Sequence, residues 1–230
     1  MRKIAVFLVL SAAFTVWAND AFISTTVGMV LTTATINATG GVHSHSRTTV
    51  REVINSGDTV TVLALFENLD RDKRLLDGDT SLVRTNIVNG ALEVDVSRFF
   101  GSPDNEEEGA SRSSVRVDGD MIRIPSNLAV GDKLEDARIT LTFITGMGNP
   151  TRRMAVTNHE VLSFGPVTVP AGTFDAYKLT RTVTHTTIMG RSRVERILTW
   201  YARGIGVIQT ENYDNRGRLQ GRSQLVELKR

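Results

Sequence analysis

Three small groups of residues in this chain have the types and spacing to do chemistry. His159-Glu160-Val161-Leu162-Ser163 opens like a zinc-protease helix, where two histidines one turn apart hold the metal and the glutamate acts as base. Its fifth position is Ser163 where that site needs the second histidine, and residues 161–169 read as extended chain. His43 and His45 are two apart, so on a strand they would share a face and could supply two metal ligands, but no third ligand is identifiable nearby. Asp70-Arg71-Asp72-Lys73-Arg74 starts like a calcium loop and then lacks the oxygen ligand at its fifth position and the glycine at its sixth. The acidic run at 102–111, with Glu106, Glu107 and Glu108, reads as a solvated loop. No nucleophile elbow, phosphate-cradling loop or dinucleotide fingerprint is present. The expectation is therefore no catalytic residue, no metal and no cofactor.

What remains are binding candidates. Arg181 and His185 fall on the same strand parity as Tyr177, Leu179 and Val183. If that face is concave, a cation and an imidazole point into it; if the strand twists or ends, both reach solvent. Trp200 and Tyr201 lie beside a Gly204-Ile205-Gly206 bend, where they are either ligand-facing aromatic surface or a core aromatic pair. Arg181, His185, Trp200 and Tyr201 are the candidate ligand-binding residues.

The elements that must position them are strands. The sequence is rich in Thr and Val and has period two almost throughout, with turn signals at Thr39-Gly40-Gly41, Ser56-Gly57-Asp58, Asn89-Gly90, Asp118-Gly119-Asp120 and Asn215-Arg216-Gly217. The near-continuous apolar run at 60–66 predicts a central strand buried on both faces. Residues 138–143 alternate, with Ile139, Leu141 and Phe143 on one face. Two weakly similar segments, 36–50 and 213–226, read as hairpins closed by a glycine. Short helical turns are expected only near Val96–Phe99 and Leu134–Asp136. This is the pattern of an all-β sheet protein.

Bulk properties narrow the function. Arg2 and Lys3, an apolar stretch from Ile4 to Val16 and Val16-Trp17-Ala18 have the order of a secretory signal peptide cleaved after Ala18. The apolar stretch is shorter than the roughly 20 residues of a membrane span, and no later segment reads as a span. Removing 18 of 230 residues leaves 212, enough for a core without disulfides, and the chain has no cysteine for disulfides, thiolate chemistry or lipidation. Arg2 and Lys3 leave with the signal, so 25 basic side chains face 25 acidic ones, which argues against a nucleic-acid partner. That neutrality hides a division: residues 19–150 carry net −7 and residues 151–230 net +7. The expectation is that the two halves interleave in one domain and cancel.

Val167-Thr168-Val169-Pro170-Ala171-Gly172-Thr173-Phe174, with Tyr177-Lys178 after it, resembles the signature of the TapB-like family of exported bacterial proteins of unknown function. The segments Trp200-Tyr201-Ala202-Arg203-Gly204-Ile205-Gly206, Tyr213-Asp214-Asn215-Arg216-Gly217-Arg218-Leu219 and Pro125-Ser126-Asn127-Leu128-Ala129-Val130-Gly131-Asp132 resemble further motifs of that family. The resemblance implies a single curved antiparallel sheet, a spiral β-roll, over residues 19–230, and implies no reaction. Within it, Pro170-Ala171-Gly172 reads as a corner between two strands rather than a ligand site.

Two functional readings follow. One is an exported, periplasmic or secreted, non-catalytic binding module for an unknown protein partner. The other is a carrier that holds a small apolar ligand, such as a lipid or acyl chain, in the concave face. Charge on the face of Arg181 and His185 favours the first, because charged groups there disfavour acyl chains unless they pair or hold a head group. The feature that separates them is whether the inward positions enclose a void or pack solid.

Overall fold

A computed structural model describes residues 21–94, 114–144, 148–187 and 189–230. The signal segment, the acidic run at 102–111 and the helical turn expected near Val96–Phe99 lie outside the described residues.

Two antiparallel meanders make up most of the molecule. The first is β1 (Val30–Asn37), β2 (Val42–Ser56), β3 (Thr59–Leu69), β4 (Leu75–Val88) and β5 (Ala91–Val94). The second is β8 (Ala137–Ile144), β9 (Thr151–Val169), β10 (Gly172–Thr186), β11 (Ser192–Ala202), β12 (Gly206–Asp214) and β13 (Leu219–Lys229). Pairing of β13 with β1 joins them into one sheet. Two short strands, β6 (Ser114–Gly119) and β7 (Ile122–Pro125), then lie at its opposite ends, β6 on β8 and β7 on β5. Only Asp120 and Met121 separate these two end strands in sequence. Three Cα steps reach about 11 Å at most, so the two ends of the thirteen-stranded sheet must meet, and the sheet rolls up. Asp120 fastens the junction: its N–H donates to the Arg138 carbonyl and its carboxylate accepts from the Arg138 N–H, both at 2.9 Å.

The main core fills the roll. It joins Leu92, Ile122 and Ile124 from one end of the sheet to Ala137, Ile139, Met154 and Val156 from the other, with Val161, Leu179, Val183 and Tyr201 between. The segment 21–24 threads into this interior. Phe22 is buried in the main core, Ala21 packs with Val60 and Ile87, and Ile23 touches both groups and the Met29–Val50–Val62 cluster. A second core lies on the other face of the sheet. The hairpin tip at Pro170-Ala171 folds over β13, where the Ala171 N–H donates to the Leu225 carbonyl, and covers Leu198, Trp200, Ala202 and Ile208. Five consecutive residues of β11, Leu198 to Ala202, are consequently buried: Leu198, Trp200 and Ala202 in the second core, and Tyr201 in the main core, with Thr199 on Tyr201's face of the strand.

Several sequence expectations meet this architecture directly. The corner at 170–171 and the hairpins at Gly40 (φ 90°) and Gly217 (φ 74°) are formed as expected. No helix is present among the described residues, so the turn expected at Leu134–Asp136 is irregular chain instead, held by the Leu134 N–H to the His159 carbonyl. Strand β3 is flanked by strands on both edges but buries fully only Val60, Val62, Ala64 and Leu69; Leu63 and Leu65 stay half-buried on the outer face. The charged halves do not interleave strand by strand. Strands β9 to β13, all from the net +7 half, are consecutive neighbours, and the net −7 half flanks them on both sides.

A polar-walled cavity inside the roll

Within the roll lies a half-open cavity of about 650 Å³, lined in part by main-core residues such as Ile122, Met154 and Val183. On one side its wall comes from inward positions of β1–β3, β5, β7 and β9, apolar at Leu31, Val50, Val62, Ile122, Met154 and Val156 and polar at Thr33, Ser46, Thr48 and Glu93. Phe22, Ile23 and Ser24 of the threaded segment line it too. The wall contributed by β10, β11 and β12 is more polar. Arg181, Val183 and His185 project from β10; Glu195, Ile197, Thr199 and Tyr201 from β11; Thr210 and Asn212 from β12. The register explains the grouping, since Val183 pairs with Glu195, Arg181 with Ile197, Ile197 with Asn212 and Thr199 with Thr210.

The candidate residues from sequence therefore separate. Arg181, His185 and Tyr201 line the cavity. Trp200 does not: it lies in the second core on the opposite face, with the Lys178 ammonium 4.9 Å from its ring centroid. Adjacent residues on a strand point to opposite faces, so Trp200 and Tyr201 could not both reach one cavity. Tyr201 packs edge-on against Phe22, with ring centroids 5.7 Å apart.

Electrostatics divides the polar wall. Glu195 is held by Arg193, with Nε and Oε1 2.6 Å apart. Burial, partly opposed by the pull of Glu195 and assisted by Arg193, holds His185 below the usual imidazole range, so it is neutral at neutral pH. Arg181 is buried, 7% exposed. Behind it, outside the cavity lining, His159 is pushed down to about 4 by burial first and by the Arg181 charge second. Both of its ring nitrogens lack a hydrogen-bond partner, so it is not poised against any hydroxyl as a general base would be.

The other motifs resolve into local structure. His45 is buried against the Asp70 carbonyl, 3.2 Å from Nδ1, while His43 is exposed. Asp70 uses its carboxylate to close the β3–β4 turn, accepting from the Asp72 and Arg74 N–H groups at 2.8 Å. Among the described residues no three His, Cys, Asp or Glu side chains are grouped as a metal site.

Sequence reasoning missed Thr199 and Asn212. Thr199 Oγ1 and Asn212 Oδ1 are buried and without a hydrogen-bond partner, and both residues line the cavity. The available signal was that Thr199 shares strand parity with Tyr201 and Ile197, a polar residue on an otherwise inward face.

A family model described as DUF3108-like matches residues 26–225. The chain belongs to the DUF3108-like family. This family has no assigned function, and its model carries that name rather than the TapB-like one suggested by the motifs. Two solved structures resemble this DUF3108-like chain. One, from Bacteroides fragilis, is described as an exported protein with a YmcC-like fold; it is 19% identical, with a TM-score of 0.70 over 91% of this chain and 99% of that one. The other, described as a lipoprotein from Parabacteroides distasonis, is 21% identical, with a TM-score of 0.72 over 91% and 98% of the two chains. At these identities the likeness is one of fold. No curated protein matches the chain.

Proposed function

We propose that this DUF3108-like protein is an exported, non-catalytic binding protein that carries a small, mostly apolar ligand inside its rolled sheet. The observation that carries this reading is the cavity of about 650 Å³ on the concave face, within the 300–1,000 Å³ typical of small-molecule sites. The sequence placed an interaction module ahead of a carrier and made the enclosed void the feature that separates them. Of the two groups that the sequence reading set against a carrier, His185 is held below the usual imidazole range by burial, and Arg181 stays in the lining as a buried cation, so the wall suits an apolar ligand that carries a polar head. Export is supported by the signal-like leader, by cleavage expected after Ala18, and by the description of one structural neighbour as exported. The ordered motifs around Pro170, Trp200 and Tyr213 support placing the chain near the TapB-like proteins.

The test is native mass spectrometry, with organic extraction, of protein recovered from the periplasm. A stoichiometric small amphipathic ligand is expected, and it should be lost when Val183→Trp fills the cavity. Ligand-free protein that also fails to take up a decyl-chain fluorescent probe would remove the carrier reading and leave a surface-binding module.

A further inference from the structure

The two orphaned groups in the polar wall point to the chemistry of the ligand's head, an inference that rests on the carrier reading above. Thr199 is only 3% exposed, and its Oγ1 has no partner in the protein. Asn212 Oδ1 is likewise buried and unpartnered. Thr199 pairs with Thr210 and Ile197 with Asn212, so Thr199 and Asn212 are diagonal neighbours on one face of β11 and β12. Diagonal positions are roughly 7–8 Å apart at the backbone, with Cβ atoms somewhat closer, a gap that a single oxygen reaches from both sides. An unsatisfied buried group of this kind is destabilising, and a ligand that supplies the partner recovers that energy. The wall therefore selects for a head group, not only for an apolar body.

We infer that the ligand is an uncharged amphiphile bearing a hydroxyl, seated between Thr199 and Asn212 with its chain against Leu31, Val62 and Val156. Asn212 Oδ1 only accepts, so the head group must donate. Thr199 Oγ1 can then donate to the same head group, which must also accept. A hydroxyl does both. A carboxylate accepts only and would meet Asn212 Oδ1 with like partial charge. An ammonium could donate to both, but the lining's carboxylates, Glu93 and Glu195, are already ion-paired with Arg123 and Arg193, and the buried Arg181 guanidinium repels it.

A matched series tests this: 1-decanol, decyl methyl ether, decanoate and decylammonium, titrated by displacement of a decyl-chain fluorescent probe. The expected order puts decanol on the order of tenfold tighter than the ether, which lacks only the donor. Decanoate and decylammonium are expected to be weaker than decanol. In Asn212→Leu, which removes the acceptor, the decanol advantage should shrink to about twofold, while Thr199→Val, which keeps the side-chain shape, should weaken decanol and the ether together. Ligand-free Thr199→Val should melt no lower than the parent, since no protein hydrogen bond is removed. Equal binding across the series, or an undiminished decanol advantage in Asn212→Leu, overturns the hydroxyl assignment and leaves the apolar carrier standing. A lower melting temperature for ligand-free Thr199→Val overturns it as well, by giving that hydroxyl a structural partner. Failure of all four compounds and the probe to bind overturns the carrier reading itself.

Discussion

Arg181 of β10 stands opposite His159 of β9 at a bulge in the sheet. Thr180 pairs with Glu160 and Thr182 with Thr157, so two residues, Asn158 and His159, face the single Arg181. Asn158 absorbs the extra residue by taking φ 53°, a left-handed conformation that Asn tolerates better than most. The bulge keeps both Val156 and Val161 in the main core on either side of it, and it also buries an imidazole next to a guanidinium.

Acid should expose that arrangement. Folded His159 takes up its proton near pH 4, against an ordinary value of 6.5. Between those values the unfolded chain binds the proton and the folded protein does not. Stability is therefore intact above about pH 6.5 and falls as the pH drops toward 4, by about 3 kcal/mol in total. His185, shifted in the same direction, adds to the slope. The His159 share is isolated by urea unfolding of the parent and His159→Leu from pH 7.5 to 4. The variant should lose much less stability over that range; parallel curves would show that His159 is protonated in the folded state.

Two glycine substitutions should differ in size for stated reasons. Gly217 sits at φ 74° with nothing near an added Cβ, so Gly217→Ala carries only conformational strain, about 1 kcal/mol. Gly119 sits at φ 129° at the end of β6, and an added Cβ would lie 2.1 Å from the Arg138 carbonyl oxygen. That backbone cannot move without loosening the Asp120 clamp that holds the two ends of the roll together. Gly119→Ala should cost about 3 kcal/mol or more, read from denaturation midpoints. Equal midpoints for the two variants would mean that the seam does not depend on this contact.

Strand patterning made much of this fold legible. Period two locates β1, β3 and β8 closely, and the turn glycines and the Pro170 corner place the β1–β2, β9–β10 and β12–β13 hairpins, although β9 begins at Thr151, ten residues before the extended stretch read at 161–169. Closure of the roll was not legible, because it depends on β6 and β7 pairing with opposite ends of the sheet across a two-residue link, and alternation says nothing about which strands pair. The long apolar run in β3 was misleading for a related reason: Leu63 and Leu65 cover the outer face without a second layer over them. For the site, parity put Arg181 and His185 on one face of β10 and left Trp200 and Tyr201 together as a separate pair on β11. It could not say which of that pair joins Arg181 until the second core fixed which face was which. Thr199 and Asn212 carry no motif, and their significance depends on the partners they lack.

Trp200 gives an optical test of the two-sided arrangement. The sequence has two tryptophans, and Trp17 belongs to the segment expected to be removed. Mature protein beginning at Asn19, checked by intact mass, then has Trp200 as its sole tryptophan. The ring is 9% exposed, so its emission should be blue-shifted and poorly quenched by acrylamide. Because it faces the second core, cavity ligands should leave that emission nearly unchanged. Trp200→Ala should cost about 3–5 kcal/mol of stability by emptying the second core, while Trp200→Phe keeps ligand affinity within about twofold. A large emission change on decanol binding would contradict the separation of the two faces.

Ligand binding should also be visible as stability, because a group that binds the folded state alone adds RT ln(1 + [L]/Kd). At a ligand concentration of 100 times Kd that is about 2.7 kcal/mol, which for a chain of this size raises the melting temperature by roughly 5–10 °C. Val183 is the position that links this gain to the cavity. Its side chain belongs to the main core and also lines the void, between Arg181 and His185 on the same strand face. An indole there extends into space that no protein atom occupies, so Val183→Trp avoids most of the overpacking cost of a filled core. It also buries apolar surface that the parent leaves to the ligand. The expected result is a ligand-free Val183→Trp protein that melts close to the parent and no longer shifts when decanol is added. A parent that gains stability with decanol, beside a folded Val183→Trp that gains equally, would place the ligand somewhere other than the interior of the roll.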